Sequence, residues 1–271
     1  MLKIQYYIKF GFLPNFKSPK RFSEKIQLYK MHYRNPILHK CVDKYDVREY
    51  IENKGLAGIL NELYGMYHSA EEIKWEDLPQ EFVIKSTTGG GGLNVIIVPN
   101  KSGLDINKTK KIINSWAKHE KGKISSGREW AYNNINENRI IIEKYLKNNS
   151  EEEELTDYKF FCFNGVPQCI QVDSGRFNSH HQNYYNTDWE SLDVHCTYPS
   201  GPLQKKPENF EKMKEVARIL SSDFPFVRVD LYNINGKIIF GELTFYPSSG
   251  YGKYHPDNFD FVLGKYFTKY K

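Results

Sequence analysis

Residues 226–250 read FVRVDLYNINGKIIFGELTFYPSSG. Two apolar runs flank Asn235-Gly236, a strong short-range signal for a tight hairpin. On the outgoing run Val227, Val229 and Leu231 share one strand face, and Arg228, Asp230 and Tyr232 share the other; on the return run Glu242 and Thr244 share a face. A lone carboxylate in a core is costly unless it is ion-paired or bound to a metal. Two acids on adjacent strands therefore want a cation between them. Their oxygen donors suit Mg²⁺, with an Arg228–Glu242 ion pair or simple exposure as the other readings. Register decides among these. A two-residue Asn235-Gly236 turn sets Asp230 opposite Gly241 and puts Asp230 and Glu242 on opposite faces; the metal reading needs an odd loop length or a bulge.

Working outward, residues 82–98, FVIKSTTGGGGLNVIIV, read as two strands around a glycine run. Lys85, Ser86, Thr87 and the glycines Gly89, Gly90, Gly91 and Gly92 supply a point charge, hydroxyls and backbone N–H groups that can cradle phosphate. No Gly-Lys-Ser/Thr follows, so this is not a P-loop, and by itself it reads first as a glycine hairpin with a surface lysine. IIIEKYL, residues 140–146, is an apolar strand that ends at Glu143 and Lys144 and runs into a loop. In TDYKFF, Asp157 and Lys159 alternate with apolar neighbours and read as a surface ion pair of under about 1 kcal/mol.

The remaining chain sets the frame. Its 271 residues, 39% hydrophobic and 26% charged, suit a globular protein of two or three subdomains. The net charge of +5, without a dense Arg/Lys stripe, favours small anionic ligands over a nucleic-acid groove. Cys41, Cys162, Cys169 and Cys196 form no Cys-x-x-Cys and fit no zinc spacing, which reads as reduced structural thiols of a cytoplasmic protein. The opening MLKIQYYIKFGFLPNF lacks signal-peptide features, and no run is long enough to span a bilayer. Contact of this amphipathic stretch with a membrane surface or a partner stays open, which leaves a place at the inner face of the membrane open too.

Residues 1–76 read as largely helical. One helix starts at Ser18-Pro19, another is opened by Asn35-Pro36 and closed by Gly55, and a mixed segment with a short strand follows. Residues 105–120 and 207–222 have helical spacing; YKFFCFNGVPQCIQVDS reads as two strands about Asn164-Gly165, residues 177–206 as irregular and polar, and Glu151 to Glu154 as a solvated loop. The class is α+β with a glycine-loop lobe.

The ordered set resembles the ATP-grasp superfamily. A lysine precedes a Ser/Thr/Gly loop, an apolar strand ends in Glu, a strand lysine follows, and RVD and GEL close the series. The likeness is closer still to the TupA-like ATP-grasp proteins. SPKRFSEKI and DKYDVREY look like their N-terminal signature, and FVIKSTTGGGGLNVIIV, IIIEKYL and DYKFFCFNGVP match in order, covering about residues 12–265.

The resemblance implies an ATP-grasp fold, two α+β lobes sandwiching nucleotide with a helical N-terminal region. The regions would be 1–80 (helical, substrate side), 81–145 (glycine-loop lobe) and 146–271 (lobe with the metal-binding hairpin). It implies an ATP- and Mg²⁺-dependent, ADP-forming ligase of bacterial surface-polysaccharide biosynthesis. Such an enzyme would join an amino acid or other amine to a sugar carboxylate through an acyl phosphate. Lys85 and Lys159 would contact phosphates, and Ser86, Thr87 and Gly89 to Gly92 would form a mobile cover over them. Glu143, Lys144, Tyr145 and Leu146 would supply the adenine hinge, and Asp230 and Glu242 would hold Mg²⁺. Thr244 stands where the superfamily has a metal-binding Asn, so a second Mg²⁺ is left open. Arg228 would stabilise the transferring group; Lys44, Arg48 and Arg176 would meet anionic substrate groups. His180 and His181 lie where a substrate loop could be, and read first as surface histidines. Two other activities remain beside this one, a glycosyltransferase of the same pathway, for which no Asp-x-Asp string is present, and an ATP-dependent sugar kinase.

Overall fold

The computed structural model of the chain describes residues 1–89, 94–120, 129–132, 139–147, 155–175 and 179–270. Gly90, Gly91, Gly92, Arg176 and the glutamates 151–154 lie outside the described residues. Contacts group the chain into two compact units, Met1–Arg34 with Asn148–Lys271, and Asn35–Lys147. The 1–80 region is thus distributed over both units.

The continuous unit holds α3 (Ile37–Val42), α4 (Val47–Asn53), α5 (Ile106–Glu120) and four strands, β1 (Leu63–Tyr67), β2 (Phe82–Ser86), β3 (Val95–Val98) and β4 (Ile140–Lys144). The strands form an antiparallel sheet in the order β1-β4-β2-β3. Phe82 and Ile84 of β2, with Ile140 and Ile142 of β4, pack on Ile113 and Trp116 of α5. Period-two alternation then directs Val83, Lys85, Ile141 and Glu143 to the opposite face. The expected single helix between Asn35 and Gly55 is broken. Asp43 accepts from the Tyr45 and Asp46 backbone N–H groups at 2.9 and 3.0 Å, and Lys44 N–H donates to Thr87 O rather than along a helix. Gly55 closes the second piece with φ +73°.

The discontinuous unit holds α1 (Leu2–Phe10), α2 (Phe22–His32), α6 (Phe210–Ser221), α7 (Asn258–Tyr266) and strands β5 (Asp157–Phe163), β6 (Val166–Ser174), β7 (His181–Tyr185), β8 (Ser191–Leu192), β9 (Phe226–Ile234) and β10 (Lys237–Thr244). They form one antiparallel sheet in the order β10-β9-β5-β6-β7-β8. α6 covers one face, through Phe210 against Phe160. On the other face Phe22 of α2 packs with Phe161, Phe163 and Phe226, and Phe267 after α7 joins them.

Two expectations change here. α2 starts at Phe22 instead of Ser18-Pro19, because the Glu24 carboxylate takes the backbone N–H groups of Asn15, Lys20 and Arg21. The expected irregular stretch 177–206 contains β7, where Tyr184 and Tyr185 are buried and Asn183 donates to Gly201 O and Pro202 O. Tyrosines that alternate little in polarity hid this strand.

Candidate functional site

In the discontinuous unit the terminal hairpin turns at Asn235-Gly236, both with positive φ (52° and 79°), as a two-residue turn of primed type requires. Register runs from Lys237↔Ile234 to Phe240↔Leu231, then shifts, so that Glu242 faces Asp230 and Thr244 faces Arg228. Gly241 is the extra residue of a β-bulge. A side chain there would crowd the strand, since a Cβ would sit 3.0 Å from Asp230 O. The two acids therefore share a face, as the metal reading needed.

β5 lies beside β9 with Lys159 opposite Asp230, and β6 sets Asp173 opposite Asp157. The Lys159 ammonium contacts Asp157, donates to Asp230 Oδ2 at 2.8 Å, and stands 3.9 Å from Asp173 Oδ2. Arg228 donates through Nε to Asp230 Oδ1 at 2.7 Å, and through Nη2 to Asp230 Oδ2, Thr244 Oγ1 and Glu242 Oε1 at 2.6, 3.0 and 3.3 Å. Thr244 Oγ1 also donates to Glu242 Oε1 at 3.0 Å.

Asp157 and Lys159 are buried, so the surface-pair expectation is corrected. An alternating polar pattern marks a face but not whether that face is solvated. Burial opposes the charge on Asp230, yet Arg228 and Lys159 beside it hold its carboxyl below the usual range. Burial likewise opposes the Lys159 charge, and Asp157 and Asp230 outweigh it, holding the ammonium above its ordinary value.

This face carries four carboxylates (Asp157, Asp173, Asp230, Glu242) against two cations, Lys159 and Arg228. The excess of two negative charges and the oxygen donors suit a divalent cation in composition. In arrangement the fit is partial. Both Asp230 oxygens accept from Arg228 or Lys159, while Glu242 uses Oε1 and its side chain is 40% exposed. Among the described residues no group of three or more His, Cys, Asp or Glu side chains is arranged to hold a metal. Glu242 and Thr244 are the accessible oxygen donors, and Asp230 anchors the two cations.

Sequence reasoning passed over Asp173. Gln171 Nε2 donates to its Oδ1 at 2.8 Å, and His180 Nε2 lies 3.5 Å from its Oδ2. Gln171 and Asp173 alternate with Ile170 and Val172 just as Asp157 and Lys159 do with their neighbours, and that repeated pattern was the available signal. His180 is not a simple surface histidine; it stacks on Tyr198 with ring centroids 3.7 Å apart.

In the continuous unit the Glu143 side chain is a hub. It accepts from Lys85 Nζ at 2.8 Å and from Arg48 Nη1 at 3.4 Å, and Arg48 also donates to Asn61 O at 3.0 Å. Lys85, Glu143 and Arg48 are thus brought together. The Ser86 and Thr87 hydroxyls are buried: Ser86 Oγ donates to Thr88 O at 2.7 Å, and Thr87 Oγ1 accepts from Arg139 N–H at 3.2 Å. Lys44 Nζ donates to the carbonyl of Gly89, whose φ of +106° favours glycine. Arg139 is held in turn by Asp43 and Asp46 at 3.0 and 2.8 Å. Lys144 and Tyr145 line a cavity of about 250 Å³ with Tyr64, Pro79, Gln80 and Glu81, and Leu146 beyond them is half-buried.

Residues 24–268 match the family model described as TupA-like ATPgrasp. No curated protein sequence matches the chain. Similar solved structures include D-alanine–D-alanine ligase from Bacillus anthracis, at 16% identity and TM-score 0.46 over 76% of this chain and 57% of that one. An ADP complex of N5-carboxyaminoimidazole ribonucleotide synthetase matches at 16% identity and TM-score 0.49, over 81% of this chain and 49% of that one. D-alanine–D-alanine ligase from Coxiella burnetii matches at 10% identity and TM-score 0.45, over 85% and 58%. The chain spans about half the length of these solved structures.

Proposed function

Because this chain belongs to the TupA-like ATP-grasp family, we propose that it is an ATP-dependent, ADP-forming carboxylate–amine ligase. Its role is in bacterial capsule or surface-polysaccharide biosynthesis, where it joins an amino acid or other amine to the carboxylate of a uronic-acid sugar. The observation that carries this reading is the gathering of Lys159, Arg228, Asp230, Glu242 and Thr244 on one sheet face, through a bulge that serves no need of the hairpin itself.

A substrate carboxylate oxygen attacks the γ-phosphorus of ATP; the bond to the β-phosphate oxygen breaks and ADP leaves. The amine nitrogen attacks the acyl carbon of the resulting acyl phosphate, inorganic phosphate leaves, and the nitrogen gives up a proton. Both steps depend on positioning and on neutralising charge at the moving phosphoryl group. Lys159 and Arg228 hold positive charge where that group reacts, and Asp230, by binding both, fixes their direction. Lys85 contacts phosphate, steadied by Glu143. Thr87 and Gly89 to Gly92 cover the phosphates through backbone N–H groups, with Ser86 shaping the turn. The backbone of Glu143 to Leu146 meets the adenine edge. Lys44, Arg48 and Arg176 face anionic groups of the acceptor. Glu242 and Thr244, with Asp230 behind them, would hold Mg²⁺, which would supply screening of phosphate charge.

The test is ADP and phosphate release with a panel of uronic acids and amines. Release that requires both a uronic acid and an amine supports the ligase. Release with the sugar alone makes the protein a kinase, and UDP release from a sugar nucleotide makes it a glycosyltransferase.

A further inference from the structure

α1 has two apolar sides. On one, Tyr6 is fully buried and stacks on Phe10 with centroids 4.4 Å apart, and Phe12 and Phe16 close around it. That side seats the helix on its unit. On the other side Ile4, Tyr7 and Ile8, spaced by three and four residues, are 63%, 53% and 74% exposed. Met1 before the helix and Leu13 after its Gly11 cap are exposed as well, at 92% and 66%. Contiguous exposed apolar side chains on a helix mark an interaction face.

The surrounding charges select the partner. Residues 1–23 contain Lys3, Lys9, Lys17, Lys20 and Arg21 and no Asp or Glu. The four lysines are exposed, while Arg21 is engaged with Asp257 and Asp260. Lys3 borders this side next to Tyr7, and Lys9 follows Ile8 about 100° further round the helix. Apolar side chains bordered by lysines, with a tyrosine among them, match the chemistry of a bilayer interface with anionic headgroups. A short helix in isolation would lose its binding energy to folding entropy; here the Tyr6 side has already ordered it.

We propose that the outer face of α1 docks on an anionic lipid surface, with Ile4, Tyr7, Ile8 and Leu13 entering the headgroup region and Lys3, Lys9, Lys17 and Lys20 contacting lipid phosphates. This goes beyond the ligase reading and does not depend on it.

The experiment is flotation of the whole chain with vesicles of phosphatidylglycerol and phosphatidylcholine in equal parts, and with phosphatidylcholine alone. The chain partitions at least about tenfold more strongly into the anionic vesicles, and each lysine changed to Gln among Lys3, Lys9, Lys17 and Lys20 lowers partition about fivefold. The Ile4→Glu, Ile8→Glu chain, whose changes are at exposed positions, keeps its far-ultraviolet circular dichroism and loses vesicle binding. Equal partition into both vesicle types overturns the proposal, as does unchanged binding by the double variant. A concentration-dependent dimer that the double variant dissolves, with no vesicle binding, makes a second copy the occupant and also overturns it.

Discussion

Glu242 lies directly across from Asp230 because β10 carries one residue more than β9 needs, Gly241. Deleting Gly241 removes the bulge and leaves Glu242 opposite Asp230 and Thr244 opposite Arg228 in a plain ladder. ADP release should therefore survive the deletion in part; a fall to background with the far-ultraviolet spectrum kept would show that the local twist of the bulge, beyond the pairing, is needed. Gly241→Ala is a milder test. Its methyl meets Asp230 O, so unfolding in urea should come at lower denaturant, by about 1–2 kcal/mol, with a loss of activity larger than that loss of stability implies.

Asp230 and Glu242 should separate in a pair of isosteric variants. Asp230 is buried between Lys159 and Arg228, so Asp230→Asn leaves two cations short of a partner and costs about 3 kcal/mol or more. Glu242 is 40% exposed, and Glu242→Gln should cost under about 1 kcal/mol. Both abolish ATP turnover. Chemical denaturation beside an ADP assay reads the two effects, and full turnover in Glu242→Gln would remove that residue from the metal assignment.

The Asp230 carboxyl titrates lower in the folded chain than in the unfolded one. Its contribution is therefore complete above the unfolded value of about 3.9 and is lost as pH falls through the folded value. Unfolding free energy of the native chain should drop on acidification below about pH 4, and Asp230→Asn should flatten that part of the profile. Equal slopes in the two chains would show that Asp230 is not held by its cations.

Glu143 ties Lys85 to Arg48, so Arg48→Ala should act through Lys85 as well as through lost contact with substrate. The expected result is a rise in KM for ATP with a smaller change in kcat. In a double-mutant cycle with Glu143→Gln the two effects should couple by about 0.5–3 kcal/mol. Strict additivity would mean that Arg48 works independently of the Glu143 hub.

Cys162 and Cys169 are buried in the sheet, and desolvation pushes the Cys162 thiol up to about 12 and raises Cys169 as well. Thiolate is the reactive form. Native protein should leave both unmodified by a soluble disulfide reagent over the time in which denatured protein reacts fully. Prompt native labelling at Cys162, located by peptide mapping, would contradict the packing of α6 on β5.

Much of this was legible in the chain itself. The Asn235-Gly236 turn, the strands around the glycine run and the shared face of Arg228 and Asp230 follow from alternation and turn chemistry, whereas Lys85 and Lys159 stand out only through the resemblance to the ATP-grasp family. What escaped has a common cause, since linear patterns carry no depth. Asp157 and Lys159 look like a surface pair until β6 and β9 close on both sides of β5. Asp173 becomes relevant only through the β5–β6 register. The Glu143 carboxylate becomes a tether only because α4 brings Arg48 to its face. The bulge at Gly241 was identifiable as a requirement, but its presence depended on cross-strand contacts.

The split of one unit around the other has a consequence for synthesis. Ser23 Oγ donates to Asp260 at 2.6 Å and the Lys20 carbonyl lies against Gly264, so α2 is seated against α7 as well as against β5 and β9. Asn35–Lys147, by contrast, is one uninterrupted run. As the chain leaves the ribosome this inner run can finish folding first, while Phe22 and Tyr29 stay without Phe226 and Phe267 until those residues have been made. Residues 1–34 are therefore translated before the inner run and buried after it, and a chaperone that shields nascent apolar helices would find its binding site there.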